Sequence, residues 1–136
     1  MGDGGAVEDH VGETMPVVVA SKTRYYGLAV PSALNEEVAV VEIEPQADDY
    51  IVEGYIDLSQ LVEGDEVVLR EYIAVDGSSP RKFLEASFTG PVSEPVVRFH
   101  SKTILYFSSY KVTLTQVSGT LRSFPYAFVL EVLGTI

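Results

Sequence analysis

The chain contains no cysteine and no tryptophan, and only two histidines in 136 residues. Without cysteine there is no disulfide framework, no thiolate nucleophile and no zinc–thiolate site. His10 and His100, far apart in sequence, supply too few ligands for a zinc site of any other kind. Long apolar runs are missing as well. The longest, residues 17–20, 38–41 and 127–130, fall far short of the roughly 20 residues that a membrane helix needs. The N-terminus, Met-Gly-Asp-Gly-Gly, has neither a basic region nor an apolar stretch, so no secretory signal is expected. Ala6 stands where a myristoylation motif requires Ser or Thr. The expectation is a protein of a soluble compartment or of an assembly, with no membrane partner.

Basic residues are scarce too. Nine Lys and Arg stand against twenty Asp and Glu, a net charge of −11 that repels a phosphate backbone and argues against a nucleic-acid partner. The imbalance is uneven along the chain: residues 1–76 carry seventeen acids and three bases, whereas residues 77–136 carry three acids and six bases. An acid-rich chain also suits a high-salt cytoplasm, although the basic second stretch is not what a uniformly salt-adapted surface shows. What is present in quantity is hydrophobic residues, 46% against 21% charged, which places the chain among globular proteins of one domain.

Residues 1–15 are rich in Gly and in acids (Asp3, Glu8, Asp9, Glu13) and read as a flexible acidic arm. From Pro16 the pattern is nearly all of period two. Runs at 17–20, 24–30, 37–44, 50–57, 65–75, 82–89, 96–99, 103–107, 110–117 and 126–133 each read as a strand. In the cleanest, Val67, Leu69, Glu71, Ile73 and Val75 share one face. Asp76-Gly77-Ser78-Ser79-Pro80 is a strong turn. The one helical hint, residues 58–62 with Ser59 as a cap, amounts to a single turn. About nine or ten strands with breakers every 8–12 residues predict an all-β, jelly-roll-like antiparallel β-sandwich over residues 16–136. No segment is long enough for the crossovers of a parallel sheet.

Catalytic constellations are absent from the pattern. His100, in Arg98-Phe99-His100-Ser101-Lys102, has no partner in sequence that marks it as a base. The acid pairs fall at predicted turns, with no tryptophan platform for a sugar, which disfavours a glycosidase. Neither a nucleophile-elbow motif nor a phosphate-binding Gly-Lys-Ser/Thr loop occurs. No Asp-x-Asp-x-Asp-Gly loop occurs either, so calcium would have to be held by separate loops. The expectation is a protein that is not an enzyme and holds no cofactor. The adjacent pairs Tyr25-Tyr26 and Tyr106-Phe107 each split across the faces of a strand. In a sandwich without Trp the first expectation is that both members lie buried or half-buried between the sheets; the alternative is that one of each is exposed or at an interface.

Two segments stand out. The first is Gly54-Tyr55-Ile56-Asp57-Leu58-Ser59-Gln60-Leu61-Val62-Glu63-Gly64-Asp65-Glu66-Val67-Val68-Leu69-Arg70. It reads as a strand, one turn closed by Leu58 and Leu61 packing inward, and a Gly-Asp turn in which Gly64 suits a positive φ and Asp65 bonds local backbone. The second is Val112-Thr113-Leu114-Thr115-Gln116-Val117-Ser118-Gly119-Thr120-Leu121-Arg122-Ser123-Phe124-Pro125-Tyr126. Here Gly119 permits a hairpin reversal, and Phe124 and Tyr126 share a face. Over residues 50–130 the chain resembles small β-sandwich proteins of tailed viruses of archaea and bacteria, among them jelly-roll decoration, turret and neck components of the virion. The shared motifs are structural turns and carry no functional residue across. The resemblance implies a non-enzymatic structural subunit that assembles with copies of itself and with other virion proteins, in a virion built in the host cytoplasm. The alternative is a β-sandwich recognition module for carbohydrate or a cell-surface ligand, with or without calcium.

The charge division is read in two ways: as two solvated faces, or as the means by which copies would meet, acidic surface to basic surface. Expected donors at such an interface are Arg81, Lys82, Arg98, Lys102, Lys111 and Arg122; expected acceptors are Glu36, Glu37, Asp48, Asp49, Glu63, Asp65 and Glu66.

Overall fold

The computed structural model describes residues 15–136. All of the expected acidic arm except Met15, and with it His10, lies outside the described residues. Eight strands follow in order: β1 (Val17–Ala29), β2 (Glu37–Ile43), β3 (Tyr50–Asp57), β4 (Glu66–Ile73), β5 (Arg81–Thr89), β6 (Val96–Ile104), β7 (Tyr110–Ser118) and β8 (Phe124–Thr135). They form two four-stranded sheets, one ordered β1-β8-β3-β6 and the other β2-β7-β4-β5. Every pairing is antiparallel, and the strands pair as nested partners: first with last, second with seventh, third with sixth, fourth with fifth. That winding, a long hairpin with its tip at the β4–β5 turn rolled into two layers, is the jelly roll.

The all-β sandwich agrees with the period-two pattern; the strand count is eight rather than nine or ten. Residues 17–20 and 24–30 belong to one strand because the polar Ser21-Lys22-Thr23 between them stays in register with β8, with a bulge absorbing Ala20. Residues 96–99 and 103–107 likewise merge into β6 across a bulge at His100 and Ser101, opposite Glu53. Strand β6 ends at Ile104, so Tyr106 and Phe107 stand in a turn and meet edge to face at 5.3 Å. The expected helical turn at 58–62 is a plain turn, closed by Leu61 N–H donating to the Leu58 carbonyl at 3.2 Å. Its cap is Asp57, not Ser59: Asp57 Oδ1 accepts the Ser59 N–H at 2.9 Å. Gly119 turns the chain between sheets and not within a hairpin, since β7 and β8 lie in different layers.

The core sits between the sheets. Tyr50, Val52, Ile56, Phe128 and Leu130 point in from one layer, and Val67, Leu69, Val112 and Leu114 from the other. Gly54 makes room for the Phe128 ring. A Cβ at Gly54 would fall inside that ring and 2.6 Å from the Ala127 carbonyl oxygen.

The nested winding also redistributes charge. In both sheets, strands from the first half of the chain alternate with strands from the second. The acidic-then-basic division along the sequence therefore becomes contact between the two halves inside one molecule.

Gly54→Ala is expected to lower stability by about 3 kcal/mol, the cost of overpacking against an aromatic ring and a fixed backbone oxygen, read as a shift in urea midpoint at unchanged slope.

Candidate functional site

Four connections between the layers lie at one end of the sandwich: residues 30–36, 58–65, 90–95 and 119–123. Asp65 holds the last three together. It is 3% exposed. Its carboxylate accepts the Val62 N–H at 3.0 Å, the Thr120 N–H at 3.1 Å and Arg122 Nε at 2.9 Å. Its carbonyl accepts the Gly90 N–H at 3.0 Å. Gln116, fully buried, adds a second clamp: its Nε2 donates to the carbonyls of Ser118 and Thr120, and its Oε1 accepts the Arg122 N–H. Gly64 and Gly119 both have positive φ, +96° and +90°. A Cβ at Gly119 would collide with the Asp65 carboxylate. The two segments that carry the viral resemblance thus meet as one unit, and its chemistry is structural. Burial pushes the Asp65 carboxyl up, but hydrogen bonds from Val62, Arg122 and Thr120, with the Arg122 charge, outweigh it and hold the pKa below 3.8.

A second charged group lies between the layers. Glu71, on the inner face of β4 as its period-two position requires, pairs with Lys102 of β6 at 2.9 Å and accepts a hydrogen bond from the Tyr110 hydroxyl. Lys102 Nζ also donates to the His100 carbonyl and lies 5.2 Å from the centre of the Tyr110 ring. Burial, then the hydrogen bond to Glu71, pushes the Tyr110 hydroxyl far above its ordinary range, so it stays a donor. On the outer face of the second sheet, Glu37 accepts from Tyr72 and Thr113, both at 2.6 Å, and lies 3.8 Å from Arg70. Glu85 joins Arg70 at 2.8 Å and Lys82 at 2.7 Å.

The residues expected at an interface therefore divide. Asp65 and Arg122 face each other inside the chain, because folding brings the first-half acid beneath the second-half loop. Lys102 is likewise paired with Glu71 within the chain, Lys82 with Glu85, and Glu37 sits in the Arg70 network. Lys111 lies 5.0 Å from the Tyr72 ring centre. Asp49 accepts the Tyr106 N–H at 2.9 Å, and Asp48 accepts that of Asp49 at 2.7 Å. Glu36 accepts from Ser32 at the surface. Glu63, Arg81 and Arg98 are exposed, and Glu66 is half-buried at the start of β4.

Two uncovered surfaces remain. One is the outer face of the β1-β8-β3-β6 sheet, where Tyr26, Ala127, Tyr55 and Arg98 stand in one cross-strand row. Tyr26 is 75% exposed and Tyr55 46%; Leu28 (60%) and Val96 (56%) extend the apolar surface toward one end. Beside the row lies a shallow groove of about 480 Å³ whose polar lining is Lys22, Arg24, Glu53 and Glu131. The Tyr25-Tyr26 pair does split as the alternation requires, Tyr25 packing on the core. The other surface is an apolar slot of about 240 Å³ between the free edges of β5 and β6, lined by Phe83, Leu84, Ala86, Val97 and Phe99 with Glu71 and Lys102 beneath. Sequence alternation missed the slot, because Phe83 and Leu84 are adjacent and only the bulge at Phe83 lets both line it. Among the described residues no group of three His, Asp or Glu side chains is placed to hold a metal ion.

No family model matches the chain, and no curated protein matches it. Among solved structures, the chain is similar to the VP2 subviral particle of infectious bursal disease virus, at 11% identity and a TM-score of 0.43 over 88% of this chain and 32% of that one. It is similar to the Gt strain of the same virus at 11% identity and 0.42, over 88% and 33%. A third likeness is to T=1 particles derived from that virus, at 13% identity and 0.41, over 88% and 31%. The chain spans about a third of the length of those chains. The jelly-roll assignment rests on strand order alone.

Asp65 contributes stability that is present above pH 3.8 and is lost as the pH falls through its lowered native value. Denaturation of the native protein is expected to grow easier as the pH drops below 3.8, and the Asp65→Asn variant, weaker by about 2 kcal/mol at neutral pH, should show less of that drop. For the inter-layer pair, Lys102→Met should cost about 3 kcal/mol by leaving Glu71 unneutralised, whereas the Glu71→Leu/Lys102→Met double variant should recover most of it.

Proposed function

We propose that this protein is a non-enzymatic structural subunit of a virion, of the decoration, turret or neck type, which works by packing against copies of itself and a larger scaffold. The observation that carries the reading is the uncovered row on the outer sheet face. Tyr26, Ala127 and Tyr55, with Leu28 and Val96, make a contiguous aromatic and aliphatic surface on a chain of net charge −11. Contiguous exposed apolar surface of this kind marks an interaction site, and tyrosine is enriched at the buried centres of interfaces. The jelly roll is also an architecture of capsid proteins, a class-level analogy that agrees with the sequence resemblance. Of the charged residues expected to steer contact, Arg81, Arg98, Glu36, Asp48 and Glu63 remain at the surface; the paired ones instead stiffen the subunit.

A second reading has its own support. Tyr26 and Tyr55 are separated by one strand, about 10 Å apart, and the groove beside them offers two bases and two carboxylates as hydrogen-bonding groups. That is the composition of a shallow carbohydrate site, and lectins share the architecture.

The Tyr26→Ser/Tyr55→Ser variant should keep the fold, since both rings are exposed, and separates the readings. Mass photometry of the native protein, alone and with a co-expressed shell protein, is expected to show an oligomer or capture that the variant abolishes. A native protein that stays monomeric and ignores the shell sinks the structural reading. Glycan-array binding lost in the same variant would put the recognition module in its place.

A further inference from the structure

Strand β8 divides the outer face of its sheet into two halves that match each other. Arg24 of β1 and Glu53 of β3 both stand opposite Val129 of β8, one on each side. One row on, Tyr26 and Tyr55 flank Ala127 in the same way. The flanking residues of each row lie about 5 Å to either side of β8. Opposite charges therefore occupy mirrored places in one row, and two tyrosines occupy them in the next. Neither Arg24 nor Glu53 forms an ion pair with any described residue of its own chain. In the row beyond, Lys22 stands opposite Glu131. The two bases and two acids of the groove cancel, on a chain of net charge −11. Copies of so acidic a chain repel one another, and this groove adds nothing to that repulsion.

We propose that two copies of the chain pair through this face about a twofold axis running along β8. That rotation lays β1 of one copy over β3 of the other at the same row, in the aligned manner of packed sheets. Each Arg24 then meets the partner's Glu53, and each Tyr26 meets the partner's Tyr55. With sheets about 10 Å apart, rings of that length cannot stand end to end. They pass side by side in an offset stack over Ala127, whose small side chain leaves the room. Val129 faces its own copy across the axis. Glu131 does the same, and each of these carboxylates lies between its own Lys22 and the partner's Lys22. A twofold across the strands would instead lay β1 on β1 and β3 on β3, bringing no base over an acid. The face supplies its own complement, which is the mark of an isologous interface and selects a second copy as the occupant. This inference deepens the structural reading and rests on it, since the same face serves both.

Reversing the charges one at a time tests the pairing, with sedimentation equilibrium of the full-length chain as the measurement. Each substitution, Arg24→Glu or Glu53→Arg, turns two attractive contacts of the dimer into two repulsive ones and should raise its dissociation constant about tenfold. The Arg24→Glu/Glu53→Arg double variant, which has the native net charge, should dimerise within about threefold of the native chain. An equal mixture of the two single variants should form a heterodimer of similar affinity, because both pairs are then restored. Arg24 is exposed and Glu53 half-buried, so the urea midpoint of each variant is measured alongside, with Glu53→Lys as a second form of that reversal. Single reversals that leave the native dimer unchanged overturn the pairing, as does a double variant no tighter than the singles. A native chain that stays monomeric alone but is captured by a co-expressed shell protein overturns the pairing and leaves the structural reading standing. A chain that does neither removes both.

Discussion

Three of the four connections at one end of the molecule are tied together by a single buried carboxylate. Asp65 lies where three connections between the layers converge, and its side chain and carbonyl touch all of them. A β-sandwich has no covalent tie between its sheets unless it has disulfides, and this chain has none. Apolar packing holds the layers together but does not by itself fix how the connecting loops lie over the open end. Charge-assisted hydrogen bonds of defined direction do. Arg122 and the backbone N–H groups of Val62 and Thr120 satisfy the carboxylate fully enough that its burial is compatible with its charge.

The inter-layer pair of Glu71 and Lys102 has a different character. It sits near the free edges of β5 and β6, where the sandwich is least well closed. Tyr110 and the His100 carbonyl complete its hydrogen bonding. Polar groups placed there fix how far apart the two layers stand at that edge, a specificity that a purely aliphatic contact would not impose. The slot above is accordingly defined in shape while remaining open.

Much of the fold was legible because antiparallel strands announce themselves by alternation. The inward face of β4, the turn at Asp76, the positive φ at Gly64 and the buried Leu58 and Leu61 all follow from residue type and period. Strand number was overcounted where bulges carry polar residues, since a bulge looks like a break when only one strand is read. Partners were the harder part. Asp65 was recognisable as a turn residue and Arg122 as a base, but 57 residues separate them, and nothing local links the two. The same holds for Glu71 and Lys102. Net charge by segment does not show such pairs either, because nested pairing sets each acidic strand beside a less acidic one. The aromatic row was half legible, in that Tyr26 had to face away from Tyr25, while its neighbours Tyr55 and Ala127 come from strands that only the topology makes adjacent.

Strand β8 lies in the middle of its sheet, between β1 and β3. Tyr26 and Tyr55 belong to those two strands and become neighbours only when the strand synthesised last of the eight slides between them. Until then the outer face does not exist as a surface. A growing chain on the ribosome, or one cut short before Ala127, carries the same tyrosines but cannot display them as a pair. The row is thereby a product of the closed sheet, displayed only once the eighth strand is in place.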